Sequence, residues 1–454
     1  MLREDGSKDH TMMRLLKEWF KVAEVLLVLL AVPAAFIYHI SFRWPGLLDV
    51  SYVAIVGMFI LQAALSYGYT TSVLKRKPSG PFSPAETQPL PKTTFIVTAY
   101  LPNEVPVIEA TLVNILQNVL RPPAGIEVIL VYNTPHAEPL EGKLREMTRQ
   151  WPELILTNAD GSRSKSENLN HALELAHGDM IVLLDADHLV SSDCIAPAWR
   201  WMEAGYDVVQ GGCKIRNTSG GIVPGIVGIE FEVMYGVHHP ARSVLFDTGL
   251  FGGSNGYWRA AAIKKIRFDA NMLTEDIDTT LRGILAGLRF VHDEAIVSTE
   301  LAPVTLGGLW FQRKRWLQGW LQCALKYQRA IWKTGHLNLT QKFSWTTQLA
   351  CGVVYDLVAF LFFPVVLAIW FHSGRVALPA PAYSVFAFFF ILLTGPYQAA
   401  VMYRNAVPPR DSAWRYALYI VVSWPYTLFK TVLHMVAIRD ELAGERAWTV
   451  SKRG

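Results

Sequence analysis

The composition of this chain excludes two broad classes of protein. Its 454 residues are 51% hydrophobic and 12% aromatic, yet 18% of them are charged, which suits neither a soluble enzyme nor a pure transmembrane bundle and predicts both on one chain. The formal net charge of +4 is slight, and no basic tract with interleaved aromatic residues occurs in the sequence, so we expect no nucleic-acid partner.

Residues 1–80 predict a transmembrane hairpin. Two apolar runs, VAEVLLVLLAVPAAFIYHI and VAIVGMFILQAALSYGY, each approach the roughly 20 residues that cross a bilayer as a helix. The polar segment SFRWPG separates them, and Lys75, Arg76 and Lys77 follow the second run. Because cationic flanks favour the cytoplasm, we expect both ends of the hairpin on that side. The proline-rich segment KPSGPFSPAETQPLP then acts as a linker.

Residues 90–335 predict a cytoplasmic α/β domain with a mostly parallel, Rossmann-like sheet. Short β-branched runs end in polar residues, and helical patterns such as VIEATLVNILQNV and ENLNHALELAHG alternate with them. The runs are TTFIVTAY, IEVILVY, LILTNAD and MIVLLDADH. In such sheets, ligands bind at the carboxyl ends of the strands, which is where the acidic residues of this region lie.

Residues 336–454 predict a C-terminal transmembrane region with a basic tail. Its apolar runs are LACGVVYDLVAFLFFPVVLAIWF, SVFAFFFILLTGPYQAAVMY and YALYIVVSWPYTLFKTVLHMVAI. The last run contains Pro425 and Lys430. If it crossed the membrane once, the tail ERAWTVSKRG would lie outside, against the charge rule. We therefore expect a broken or interfacial element and a tail on the cytoplasmic side.

Asp185 and Asp187 end an apolar strand in the sequence IVLLDADH. Two carboxylates spaced in this way at a strand end can approach one divalent cation, and their hard oxygen atoms suit Mg²⁺ or Mn²⁺ bridging a diphosphate. The alternative is a pair of solvated loop acids, because Asp-x-Asp by itself is common.

Two further segments carry candidate groups. Lys165 begins the helical pattern KSENLN. A lysine at a helix N-terminus offers positive potential to phosphates. The alternative is an ordinary solvated lysine. Thr274, Glu275 and Asp276 begin another helix after the glycine-rich segment GLFGGSNGYWR. Its acidic residues either cap the helix or supply a general base that takes a proton from an acceptor hydroxyl.

The decapeptide FQRKRWLQGW precedes the C-terminal apolar runs. Within it, Arg315 can bind a leaving diphosphate through charge-assisted hydrogen bonds, and Trp316 can stack on a sugar ring, with Gln312 one helical turn before them. The alternative is an amphipathic interfacial helix with snorkelling cations and an anchoring Trp, and both interpretations can hold together.

The order of these motifs, a Lys followed by Asp-x-Asp, Thr-Glu-Asp and Gln-x-x-Arg-Trp, resembles that of the processive inverting glycosyltransferases of family 2. That family includes cellulose, chitin, hyaluronan and poly-N-acetylglucosamine synthases. The resemblance runs from about residue 95 to residue 320, and the flanking apolar runs and the WTVSKR tail extend it. It implies a GT-A glycosyltransferase domain inserted between N- and C-terminal transmembrane helices.

The resemblance also implies roles for individual residues. Lys165 and Asp185 would contact the nucleotide diphosphate, and Asp187, with Asp185, would bind Mg²⁺ or Mn²⁺. Asp276, in the Thr274-Glu275-Asp276 motif, would be the catalytic base. The Gln-x-x-Arg-Trp residues would bind donor pyrophosphate and acceptor; they are Gln312, Arg315 and Trp316.

One segment departs from the family pattern. The acidic Asp-Asp-Gly-Ser stretch that usually follows the second strand and contacts uracil is replaced here by VYNTPHAE, which contains Tyr132 and Asn133. The first strand and the residues after it, VTAYLPNE, supply Thr98, Tyr100 and Glu104. We expect Thr98, Tyr100, Glu104 and Asn133 to contact the donor nucleotide.

The preferred hypothesis is a β-glycosyltransferase of a bacterial inner membrane that transfers a hexose from a UDP-sugar to a growing glycan. The GLFGGSNGYWR segment resembles glucan and mannan synthases, which favours UDP-glucose. The alternative is a lipid glycosyltransferase that adds one or a few sugars to diacylglycerol or a polyprenyl acceptor. A transporter is disfavoured because only Asp356 and Lys430 are candidate ionisable residues within the apolar runs.

Overall fold

An α/β domain lies between long apolar helices at both ends of the chain. The structure, a computed structural model, describes residues 4–44, 46–74, 89–374, 379–405 and 411–446. The helices are α1 (Glu4–Leu26), α2 (Val32–Arg43), α3 (Gly46–Leu74), α4 (Leu101–Glu104), α5 (Ile108–Val113), α6 (Leu140–Gln150), α7 (Lys165–Leu175), α8 (Ile195–Glu203), α9 (Ile222–Val233), α10 (His239–Phe246), α11 (Ala260–Ile266), α12 (Glu275–Leu285), α13 (Leu306–Lys333), α14 (Leu339–Thr346), α15 (Gly352–Ser373), α16 (Pro381–Leu392), α17 (Thr394–Asn405) and α18 (Ala413–Leu442). Single π-helical turns, Leu27–Ala31 and Met234–His238, join α1 to α2 and α9 to α10, so each pair continues as one rod.

The strands of the described residues form one mixed sheet. They are β1 (Thr93–Tyr100), β2 (Ile126–Asn133), β3 (Leu154–Asn158), β4 (Met180–Asp185), β5 (Leu189–Val190), β6 (Val208–Ile215), β7 (Gly256–Arg259) and β8 (Phe290–Glu300). Their order is β3-β2-β1-β4-β7-β6-β8-β5. The first four are mutually parallel, and β7 is antiparallel to both of its neighbours. The four strands expected from the sequence are thus confirmed and pair in parallel, and β6 and β8 form a further parallel pair.

Helices cover both faces of this sheet. Phe95 and Val97 of β1 belong to one buried apolar cluster, whereas Ile96 between them belongs to the cluster on the opposite face. Successive side chains of a strand point to opposite faces, so a strand buried on both faces has a continuous apolar sequence. This is why TTFIVTAY contains no polar residue in its centre, and why the polar residues gather at the strand ends.

Five helical segments in the described part of the chain are long and apolar enough to cross a membrane. They are Met12–Arg43, Gly46–Leu74, Gly352–Ser373, Pro381–Asn405 and Ala413–Leu442, and they coincide with the five apolar runs. The expectation that Pro425 breaks the last run is wrong, because α18 continues through it. The cationic cluster Lys75, Arg76 and Lys77 and the WTVSKR tail lie outside the described residues.

Both ends of α18 lie against the α/β domain. Near its start, Arg415 donates to the Thr218 hydroxyl at 2.7 Å. At its other end, Gln318 of α13 donates to the Glu441 carboxylate at 3.0 Å. Between these ends, α18 packs on α15 and α17, which are themselves part of candidate spans.

Candidate active site

The carboxyl ends of β1, β2 and β4 form one wall of a cavity of about 750 Å³. Strand pairing sets Thr98 opposite Asp185 and Tyr100 opposite Asn133. All four residues line the cavity, together with Glu104 from α4. The structure therefore brings these predicted donor-site residues together, and their individual roles stay predictions.

Lys165 is the cation at the centre of this wall. Its Nζ pairs with the Asp185 carboxylate, lies 3.4 Å from Oε1 of Glu275 and donates to the carbonyl of Gly253 at 2.8 Å. Burial by itself would lower the pKa of this amine, but the carboxylates of Asp185 and Glu275 outweigh it and hold the pKa above its ordinary value. Lys165 thus carries a permanent positive charge at the position expected for the donor diphosphate.

Asp276 lies in the first turn of α12, and it too lines the cavity. Its Oδ1 accepts a hydrogen bond from the amide of Ile277 at 2.9 Å. Burial raises the pKa of this carboxyl and the neighbouring charge of Glu275 raises it further, while Lys165 and Arg315 oppose them, with a resulting pKa of about 7. A carboxylate with such a pKa can accept a proton at neutral pH, as a general base must.

A glycine permits the close approach between Asp276 and the loop that precedes β7. Gly253 has a φ of +91°, and a Cβ at this position would lie 3.1 Å from Oδ2 of Asp276. Any other residue at this position would have a strained backbone conformation, and its Cβ would crowd the Asp276 carboxylate. The glycine-rich segment GLFGGSNGYWR therefore brings a backbone carbonyl to Lys165 and a bare Cα to Asp276.

Asp187 does not line the cavity, unlike the other predicted site residues. It is fully buried behind Asp185, and its Oδ2 accepts a hydrogen bond from the amide of Leu301 at 3.0 Å. Among the described residues, no group of three or more His, Cys, Asp or Glu side chains is placed to hold a metal ion. Mg²⁺ often takes one or two carboxylates from a protein when substrate phosphates supply further oxygens. Of this pair only Asp185 lines the cavity, so the metal site stays a prediction.

His188 and Glu300 are site residues that the sequence analysis did not identify. Both line the cavity, and Nε2 of His188 lies 2.6 Å from the Glu300 carboxylate. Burial by itself would lower the pKa of His188, but Glu300 outweighs this and raises it. The strand-end rule could have found both residues, because His188 follows the Asp-x-Asp motif and Glu300 ends β8.

Gln312, Arg315 and Trp316 reach the cavity from α13. Arg315 donates from Nη1 to the carbonyl of Leu273 at 3.1 Å, immediately before the Thr274-Glu275-Asp276 motif. The guanidinium of Arg313 lies 4.1 Å from the centre of the Trp316 ring. One face of Trp316 is therefore occupied, and a sugar could stack only on the other.

The remaining cations of FQRKRWLQGW form internal ion pairs. Arg313 lies 2.6 Å from the Glu230 carboxylate of α9, and Lys314 lies 2.7 Å from Glu18 and 2.8 Å from Asp440. The expectation of snorkelling cations is wrong for these two side chains, because both are engaged with carboxylates of neighbouring helices. They fasten α13 to α1, α9 and α18.

Thr274 is held by a close contact with α13. A Cβ on Gly319 would overlap the Thr274 side chain, so glycine is needed where the two elements cross. Thr274 and Glu275 both line the cavity. The packing of α13 on Thr274 thus fixes where α12 begins and where Asp276 points.

The opposite end of the cavity is lined by the apolar helices. Most of the lining side chains there are polar or aromatic, and they come from α3, α15, α17 and α18: Gln62, Ser66, Tyr69, Tyr355, Asp356, Gln398, Tyr419, Thr427 and Lys430. The cavity is therefore continuous from the strand ends to the helices that are apolar enough to cross a membrane.

A solved structure resembles this fold. The mannosyltransferase PcManGT from Pyrobaculum calidifontis, described in complex with GDP-Man and Mn²⁺, superposes with a TM-score of 0.55 at 20% identity, over 88% of this chain and 99% of that one. At this identity the likeness establishes the GT-A fold alone.

Curated relatives and family models agree on the family. A poly-beta-1,6-N-acetyl-D-glucosamine synthase from Staphylococcus aureus (strain COL) is 28% identical over 54% of this chain and 58% of its own length. The synthase of that name from Staphylococcus epidermidis is 25% identical over 64% of this chain and 72% of its own length. The model of glycosyl transferase family 2 matches residues 94–247, and that of glycosyl transferase family group 2 matches residues 180–401. The chain thus belongs to the family 2 glycosyltransferases.

Proposed function

We propose that this protein is a processive synthase that transfers N-acetylglucosamine from UDP-N-acetylglucosamine to a growing β-linked glycan. The observation that carries the proposal is the single cavity that holds Lys165, Asp185 and Asp276 at one end and the apolar helices at the other. The staphylococcal relatives are synthases of an N-acetylglucosamine polymer, which favours this sugar over the glucose suggested by the glycine-rich segment.

The chemistry would be one in-line displacement at the anomeric carbon. The bond from that carbon to the UDP oxygen breaks, the bond to an acceptor hydroxyl oxygen forms, and the hydroxyl proton passes to the Asp276 carboxylate. Lys165 and Arg315 supply fixed positive charge for the departing diphosphate, and preorganised charge of this kind is usually the largest contribution to catalysis. A Mg²⁺ or Mn²⁺ ion held by Asp185 and Asp187 would add further positive charge there.

The glycan would leave through the helix-lined end of the cavity. Trp316 lines this cavity, and an aromatic face holds a sugar through apolar contact that water replaces poorly. In this arrangement residues 90–335 form a cytoplasmic catalytic domain, residues 1–80 form a hairpin with both ends inside, and residues 336–454 return to the membrane. We place the protein in a bacterial inner membrane, with α18 as an interfacial helix.

The test is the product made by purified protein in detergent from radiolabelled UDP-N-acetylglucosamine and, separately, from radiolabelled UDP-glucose. We expect a polymer that elutes early in size exclusion, forms only from UDP-N-acetylglucosamine and is degraded by a β-hexosaminidase. A chloroform-soluble product with one or two sugars would instead establish the lipid glycosyltransferase. A polymer formed only from UDP-glucose would refute the proposed sugar but would still support a processive synthase.

A further inference from the structure

Arg242 of α10 is a buried cation with unused hydrogen-bond donors. Its side chain is 2% exposed, and it lines the cavity. Nη1 donates to Oε1 of Gln348 at 2.8 Å, whereas Nε and Nη2 are buried and have no hydrogen-bond partner among the described residues. The guanidinium lies 4.4 Å from the centre of the Trp345 ring. Buried charges are normally paired, so this one lacks the anion that its surroundings require.

The neighbouring titratable groups do not supply that anion. His238 and His239 line the same cavity beside Arg242, and Nδ1 of His239 is also buried without a partner in the described chain. Burial lowers the pKa of His239, and the Arg242 charge lowers it further, to about 3. His239 is therefore a neutral ring that can still donate one N–H. Burial lowers the pKa of His238 and Lys430 lowers it further, although Lys430 itself pairs with the Glu230 carboxylate at 3.2 Å.

Arg242 lines the same cavity as the predicted donor site, next to different elements of the fold. The donor end of the cavity already has Lys165 and Arg315 for a diphosphate. Arg242 instead lies near Tyr69 and beside α14. Tyr69 belongs to the last turns of α3, which is one of the candidate spans. Arg242 therefore lies where a helix that is long and apolar enough to cross a membrane meets the α/β domain.

We propose that Arg242, with His239 beside it, binds the phosphate of a membrane lipid. The planar guanidinium has two free N–H groups for phosphate oxygens, and such charge-assisted pairs are strong and directional. The site goes beyond glycosyl transfer itself, and it does not depend on which sugar is transferred.

The test is equilibrium binding of radiolabelled dioleoyl phosphatidic acid to the detergent-solubilised full chain. Wild-type protein should bind this lipid, and neither excess dioleoylglycerol nor excess inorganic phosphate should displace it. The Arg242→Gln substitution should weaken binding at least about tenfold, which is the effect of one lost charge-assisted hydrogen bond. The matched control is Arg289→Gln, because Arg289 lies 4.2 Å over the Tyr206 ring but is exposed and outside the cavity.

A second variant keeps the test informative if Arg242→Gln folds poorly. Gln348→Glu places a carboxylate where Nη1 of Arg242 already donates, so it should raise the melting temperature and abolish lipid binding. Wild-type affinity in either variant, or displacement of the lipid by inorganic phosphate, would overturn the proposal. UDP binding, measured on the same samples, should be equal in the wild type and in both variants. Failure of the wild-type protein to bind UDP would count against the proposed transferase and not against the lipid site.

Discussion

The Asp276→Asn substitution keeps the shape of a buried side chain and removes its capacity to accept a proton. Asp276 lines the cavity with Lys165 and Arg315, where an acceptor hydroxyl would meet the donor. Loss of one general base lowers a rate by roughly a hundred- to ten-thousand-fold. We expect that loss in the transfer of radiolabelled sugar, with UDP binding nearly unchanged because Lys165 and Arg315 stay in place.

The control for this substitution is Asp269→Asn. Asp269 precedes the same helix and pairs with Lys326 at 3.0 Å, but it does not line the cavity. It should transfer sugar at nearly the wild-type rate. Near-normal turnover in Asp276→Asn, or an equal loss in Asp269→Asn, would remove Asp276 from the mechanism.

The raised pKa of Asp276 predicts opposite effects on activity and stability. Transfer should increase as pH rises through about 7, when the folded protein releases this proton. Below about pH 4 the carboxyl is protonated in both folded and unfolded chains and stability is unaffected. Between about pH 4 and pH 7 this carboxyl ionises in the unfolded chain but stays protonated in the folded one. The free energy of unfolding therefore falls over that range, by at most about 4 kcal/mol. Asp276→Asn should therefore melt higher than wild type at pH 8, and a lower melting temperature would contradict this electrostatic account.

Three further predictions concern the rest of the site. Sugar transfer should need Mg²⁺ or Mn²⁺ and stop in EDTA, and full activity in EDTA would refute the role of the ion. Calorimetry of UDP binding to the Asp187→Ala variant should show no metal dependence. Trp316→Ala should shorten the polymer measured by size exclusion far more than it weakens UDP binding, and unchanged length would remove the aromatic platform. Gly319→Ala should destabilise the protein by about 1–3 kcal/mol, because its Cβ overlaps Thr274. Gly307→Ala in the same helix, where the new Cβ makes an ordinary contact, should be neutral or stabilising, and equal melting temperatures for the two variants would show that the overlap is unimportant.

Much of the fold could be predicted because its signals are local. The parallel strands are continuous apolar runs, since both faces of the sheet are buried, and the candidate spans are long enough to be recognised by length and composition. The remaining strands of the sheet, β5 to β8, were not predicted. β7 has only four residues, Gly256–Arg259, and it is defined by pairing with β4 and β6 from distant parts of the chain.

The course of the last apolar helix was predicted only in part. The charge rule favoured a broken or interfacial element over a simple crossing, but it could not say whether Pro425 breaks the helix, and α18 continues through this residue. Neighbouring contacts, from Arg415 to Thr218 and from Gln318 to Glu441, decide how α18 lies. Proline in a helix removes one backbone hydrogen bond, and packing along the helix can offset that loss.

The sequence by itself determined which groups are available for chemistry: an Asp-x-Asp at a strand end, a carboxylate at a helix start, and a Gln-x-x-Arg-Trp before an apolar run. Only the tertiary structure decided what charge each group meets. Lys314 belongs to a decapeptide for which snorkelling cations were one of two interpretations, yet it pairs with Glu18, which lies 296 residues earlier in the chain. Asp276 acquires its high pKa from burial and Glu275, and Arg242 is left without a carboxylate partner among the described residues. Electrostatic interactions depend on distance through space and on the surrounding dielectric, and neither quantity is fixed until distant segments have packed together.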